Sequence, residues 1–218
     1  MFTILSVGIA PSVALMSFFY LKDRITEPIP LIIRTFIFGA LLVFPIMFIQ
    51  YAFSAEGIGT PFIQAVFISA WIEEFFKWFI FLYVIYHHTE FDAHYDGIVY
   101  VVSISLGFAT VENILYLFVH GIELAFTRAL FPVSSHALFG VVMGYHFGKA
   151  KMNKFQYKRN LCLPLVIPFI LHGMYNYVLQ VVFAEWLVAT ISFMLLLWAY
   201  GLHRVKSAHQ QELKRFEV

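Results

Sequence analysis

The sequence predicts an all-α, polytopic transmembrane bundle of about seven helices, with the N-terminus outside and the C-terminus cytoplasmic. Three observations predict it. Only 12% of the 218 residues are charged while 61% are hydrophobic, and the mean hydropathy is +0.80; a soluble domain carries about 25% charged residues. Seven stretches approach or exceed the about 20 apolar residues that cross a bilayer, at 2–21, 31–53, 62–86, 97–119, 124–147, 161–183 and 186–202. Basic residues gather on one side of that layout, as they do on the cytoplasmic side of membrane proteins. The same composition excludes a disordered chain, a water-facing globule and a nucleic-acid binder, and it makes the lipid bilayer the first partner.

The first span has no basic segment before it, and Lys22 and Arg24 follow it. That is the reverse of a cleaved signal peptide, so it reads as a retained helix. The third span is apolar apart from Glu73, Glu74 and Lys77, and the fourth carries Glu112. The fifth carries His136 and a stripe of Gly140, Gly144 and Gly148, expected to let helices pack closely inside the molecule. The sixth carries His172 and Asn176. Pro11, Pro45, Pro132, Pro164 and Pro168 lie within spans and predict kinks, with Pro132 placed to distort the helix just before His136. Residues 1–203 form a single domain, and 204–218 read as a polar cytoplasmic tail, frayed from Gln210 onward.

With the N-terminus outside, 12 of the 14 basic residues fall inside, Arg128 alone falls outside, and Lys77 lies mid-membrane. The connections 54–60 and 184–186 carry no Lys or Arg and are placed outside. All connections are short, so chemistry has to take place within the membrane or at its edge.

The informative residues are those that should not be at bilayer depth, where each charge costs about 2.5–3.5 kcal/mol on insertion scales. Glu73 and Lys77 are four apart on a helix and Glu74 and Lys77 three apart, so each pair shares a face. His172 and Asn176 project together for the same reason. Four helices thus each offer a polar patch that lipid cannot solvate, and the patches should face one another around a small wet cavity. Three carboxylates against one Lys leave a formal charge of −2 there. They cannot all ionise in a low dielectric, so at least one should hold a proton. One carboxylate that takes a proton beside another that gives one is a setting for general acid/base chemistry. A divalent metal would also neutralise the site. The two-His helical zinc motif is absent, but Glu and His from three helices could still bind zinc. Proton-coupled transport is the competing class, although no second, related half is visible.

Other polar features carry less. Ser134 and Ser135 precede His136 without a nucleophile elbow, so serine catalysis has little support. Cys162 stands alone and reads as a small apolar residue. The run from His87 to Asp96 resembles a metal site in composition but reads as a solvated inner loop, with Asp96 capping a helix.

Four motifs in order complete the reading: Glu73-Glu74-Phe75-Phe76-Lys77, Phe108 with Glu112, Ser135-His136-Ala137-Leu138 with its glycine stripe, and His172-Gly173. Together, over nearly the whole chain, they closely resemble the PrsW family of bacterial site-1 intramembrane proteases, within the wider group of CAAX-prenyl endopeptidases and bacteriocin-processing proteins. The resemblance implies a multi-pass plasma-membrane protease that needs no cofactor and makes the first cut in a single-pass anti-sigma factor. It implies Glu73 as the base that activates water, Glu74 as its partner and Lys77 as their support. His172 and Asn176 would stabilise the oxyanion, with His136 also in the site. Glu112 stands where CAAX-type relatives carry His, and would orient the water or shuttle a proton. The depth of these residues places the cut in the outer part of the substrate's membrane region.

Overall fold

The computed structural model describes residues 1–152, 157–181 and 186–216, which contain helix and no strand. The elements are α1 (Phe2–Tyr20), α2 (Ile29–Ala55), the short α3 (Pro61–Ile63), α4 (Ala70–Val84), α5 (Asp96–His120), the short α6 (Ala125–Arg128), α7 (Ser134–Met152), α8 (Tyr157–Val181) and α9 (Trp186–Phe216). A π-helical segment, Gln64–Ser69, joins α3 to α4, and a second, Ala129–Val133, joins α6 to α7. Seven helical runs therefore stand where seven spans are predicted. Six are long and apolar enough to cross a membrane. The remaining one, 61–84, carries Glu73, Glu74 and Lys77. The predicted connection 148–160 lies partly, and the loop 184–186 mostly, outside the described residues.

α5 and α7 form the middle of the bundle. Residues 96–110 of α5 and 134–148 of α7 are buried on every face, as suits helices at the centre of a bundle. α1, α2 and α7 pack against α5, while α8 and α9 pack against α7. Small residues set the closest approaches. A Cβ on Gly144 would collide with the backbone of Gly97 and Ile98, so the glycine stripe of α7 packs internally against α5, as expected. Gly39 and Gly107 do the same where α2 meets α5. Large apolar side chains such as Phe48 (72% exposed), Tyr83 (81%) and Leu196 (72%) point outward, as they would toward lipid.

Two expectations need correction. The fraying expected from Gln210 onward does not occur as far as Phe216, the last described residue. α9 runs on to Phe216, and Val205, Ala208 and Glu212 are buried. A Glu212 carboxylate oxygen accepts the Tyr95 N–H at 2.6 Å, which fixes the end of the chain to the start of α5. The domain boundary predicted at 203 is thus no structural break. The loop before α5 is also only partly solvated. His87, Glu90 and Asp92 are exposed, but Phe91, Ala93 and Tyr95 are buried. Asp96 does not cap its own helix. Its Oδ2 reaches back to the N–H groups of Asp92 (2.9 Å) and Ala93 (2.6 Å), closing the loop.

Candidate active site

Four helical runs bring the predicted site residues together. Glu73, Glu74 and Lys77 come from α4, Glu112 from α5, His136 from the first turn of α7, and His172 from the middle of α8. Each π-helical segment ends one turn or less before a site residue, the first before Glu73 and the second, containing Pro132, before His136. A π turn widens the helix and redirects the side chains that follow it. The distortion expected at Pro132 is thus present.

Glu74 is fully buried. Its Oε1 accepts from Lys77 Nζ at 2.8 Å and from His172 Nδ1 at 3.0 Å. His172 then carries its proton on Nδ1, and its Nε2 lies 3.9 Å from Glu73 Oε2. Lys77 Nζ is 4.0 Å from that same oxygen and 3.1 Å from His136 Nδ1. His136 Nε2 in turn lies 3.0 Å from Glu112 Oε2. If Lys77 donates to Nδ1, His136 donates from Nε2 to Glu112. Phe139 stacks on the His172 ring at 5.0 Å, and Phe108 meets His136 edge-on while its face lies 4.6 Å from the Lys77 ammonium. These rings dry the polar chain and limit its rotamers.

The two Glu73 oxygens differ. Oε1 accepts from Ser69 Oγ at 2.9 Å and from Gln50 Nε2 at 3.1 Å. Oε2 is buried and hydrogen-bonds to no protein group. Its separations from His172 Nε2 and Lys77 Nζ are too long for hydrogen bonds, but a single oxygen atom could bridge them. A cavity of ≈ 370 Å³ lies beside this point, lined by Met47 and Gln50 of α2, Ser69, Glu73, and Phe108 and Glu112 of α5, among others.

The charge count needs one correction. Arg128, placed in the outer layer by the sequence, is buried. Its Nη2 lies 3.3 Å from Glu112 Oε1, and its Nε donates to Asn113 Oδ1 at 2.9 Å. Three carboxylates therefore face two fixed cations, which leaves −1 rather than −2. Gln50, Ser69 and Arg128 were not visible as site residues in the sequence. Gln50 does carry a signal, as an amide within an apolar span. Asn176 is brought near the site by α8, but its Nδ2 donates to Ala65 O at 2.8 Å, filling a backbone acceptor at the π-helical segment. Neither the Ser134 nor the Ser135 hydroxyl bonds to His136. Ser135 Oγ donates instead to Pro132 O at 2.8 Å.

The donors also fit a metal ion in kind. One oxygen of Glu73 and one ring nitrogen each of His136 and His172 lie within 4.8 Å of one another. Three such ligands with carboxylates behind both imidazoles, here Glu74 and Glu112, make a catalytic zinc arrangement. Glu73 Oε2 and His172 Nε2 are the free donors. His136 would have to exchange its contact with Lys77 for the ion.

The family model described as "PrsW family intramembrane metalloprotease" matches residues 27–201. Protease PrsW of Oceanobacillus iheyensis is 59% identical over 98% of this chain and 99% of its own length. Protease PrsW of Bacillus subtilis is 50% identical over 95% of this chain and 96% of its own length, and that of Clostridioides difficile 28% identical over 89% and 87%. No solved structure matches the chain significantly.

Proposed function

The chain belongs to the PrsW family of intramembrane proteases, and from that premise we propose that it cuts its substrate with a water activated by Glu73. As a member it is a multi-pass membrane peptidase. The observation that supports Glu73 most is the asymmetry of its carboxylate, with Oε1 held by two donors and Oε2 buried and unpaired toward His172. Oε2 takes a proton from a water as that water's oxygen attacks the scissile carbonyl carbon. The tetrahedral oxyanion is met by the nearby Lys77 ammonium and by His172 Nε2–H, the imidazole having taken a second proton from solvent before the attack. Collapse breaks the C–N bond, and the proton returns from Glu73 to the leaving amine. Glu74 fixes the His172 ring, while the Lys77–His136–Glu112 chain holds the far wall in register. Asn176 acts through the backbone of the π-helical segment rather than as an oxyanion donor.

The substrate proposed is a single-pass anti-sigma factor, cut in the outer part of its membrane region at the plasma membrane, with the N-terminus of the protease outside. This follows from the resemblance and from the charge layout.

The second reading is favoured by the clustered Glu73, His136 and His172 donors and by the family's description as a metalloprotease. In it these three residues hold a zinc ion, which would supply a hydroxide at neutral pH and polarise the carbonyl. Purified protein, stripped with a strong chelator and assayed on a tagged anti-sigma factor, separates the readings. Undiminished cleavage with metal content near zero supports the glutamate mechanism. Loss of cleavage that is restored by Zn²⁺ supports the metal.

A further inference from the structure

Gln50 lies near the outer end of α2 and is the one side-chain amide in that helix. It is half-buried, lines the ≈ 370 Å³ cavity, and its amide donates to two neighbouring acceptors there. Its Nε2 donates to Ser69 Oγ at 3.0 Å and to Glu73 Oε1 at 3.1 Å, and Ser69 Oγ donates to the same Glu73 oxygen at 2.9 Å. The three groups come from α2, from the end of the π-helical segment and from α4. Amide, hydroxyl and carboxylate thus close a three-membered hydrogen-bonded ring with one oxygen of Glu73 at its apex.

We infer that Gln50 is a positioning residue for catalysis: with Ser69 it clamps Glu73 Oε1, so that Oε2 is presented to the reacting centre. The inference rests on Glu73 being the acting carboxylate, and it holds whether Oε2 takes a proton from water or holds a metal. A Glu side chain has three rotatable bonds. Lys77 at 4.0 Å and His172 at 3.9 Å are too far to fix the carboxylate by hydrogen bonds. The donors that do fix it are Gln50 and Ser69. Without them the carboxylate can turn away from its productive orientation, and misplacement by about 1 Å costs on the order of 10²-fold in rate. The π-helical segment provides the geometry by placing Ser69 one turn before Glu73, and Asn176 braces that segment from α8 through Ala65 O.

The test compares Gln50→Leu, Ser69→Ala, Ser69→Thr and the double variant Gln50→Leu/Ser69→Ala with wild type and Glu73→Gln. All are purified in detergent and assayed on a tagged single-pass anti-sigma factor that wild type cleaves. Gln50→Leu keeps the size of the side chain and removes its donors. It should lower kcat by about 10- to 100-fold with KM and melting temperature little changed. Ser69→Thr, which keeps the hydroxyl, should recover most of the turnover lost in Ser69→Ala. The double variant should be little worse than the weaker single one, because the ring fails as a unit. Wild-type kcat in Gln50→Leu with Glu73→Gln inactive overturns the inference and leaves the assignment of Glu73 standing. So does a loss of turnover that only follows a drop in melting temperature, or equal losses in Ser69→Ala and Ser69→Thr. Full turnover in Glu73→Gln would overturn the assignment of Glu73 itself.

Discussion

Among the described residues, two clusters of buried or half-buried carboxylates are handled in opposite ways. In the site, Glu73, Glu74 and Glu112 meet Lys77, Arg128 and two histidines. At the other end of α5, Asp23, Glu27 and Asp96 offer oxygens within 4.8 Å of one another, and among the described residues no Lys, Arg or His forms an ion pair with them. The first cluster is held by fixed cations, so its carboxylates can remain charged and one of them can exchange a proton with water. The second is held by protons and by neutral donors such as the Tyr100 hydroxyl on Glu27. Burial, with neighbouring acids, raises Asp23 to about 7 and Glu27 to about 9. Counting acidic residues thus says little about function. The partners of each carboxylate decide whether it acts as a reagent or as a neutral fastener.

The largest expected effects fall on the reagent cluster. Glu73→Gln or His172→Ala should lower cleavage by about 10²- to 10⁴-fold while the protein still inserts at wild-type levels, checked by product on immunoblots at matched membrane amounts. Next, Lys77→Met leaves the fully buried Glu74 without its cation. It should cost about 3–5 kcal/mol in stability, since a buried charge loses its partner. Adding Glu74→Gln should restore part of that stability without restoring activity, as thermal unfolding and the cleavage assay would show together.

The fastener cluster should respond to pH instead. Raised carboxyl values mean that the folded state holds protons the unfolded state has released. Stability is then greatest below about pH 4 on this account and declines as pH rises through about 7 for Asp23 and about 9 for Glu27. Asp96 and Glu212 face Asp23 and add to its proton affinity. The melting temperature in detergent should fall by a few degrees between pH 5 and pH 9, and Glu27→Gln should flatten that fall. A melting temperature independent of pH would erase the contrast between the clusters. The smallest effect belongs to the exposed loop before α5, where His87→Ala and Glu90→Ala should change stability by no more than about 0.5 kcal/mol and leave cleavage intact.

Much of this architecture was legible because membrane depth makes polar residues conspicuous. Glu73, Glu74, Lys77, Glu112, His136 and His172 stand out against apolar spans, and the bundle does gather them. Arg128 did not stand out, because it sits at the edge of a span where a basic residue normally meets water. A 3₁₀ turn, a short helix and a π-helical segment, spanning 122–133, turn it inward, and their combined geometry leaves no local signature apart from Pro132. The π-helical segment Gln64–Ser69 contains no proline and left no signal at all. The C-terminal run misled by composition. Its charges suggested a tail, yet Val205, Ala208 and Glu212 recur at helical spacing and face the bundle. Asn176 was placed correctly on the face of His172, but sequence spacing could not reveal that a backbone carbonyl would claim its amide.

The most direct measurement is co-expression of a tagged single-pass anti-sigma factor with wild-type protein or with Glu73→Gln at equal membrane levels, with the product's new terminus located by mass spectrometry. The account predicts a truncated product, cut in the outer part of the membrane region, with wild type alone. The same product in equal amount with Glu73→Gln would contradict it.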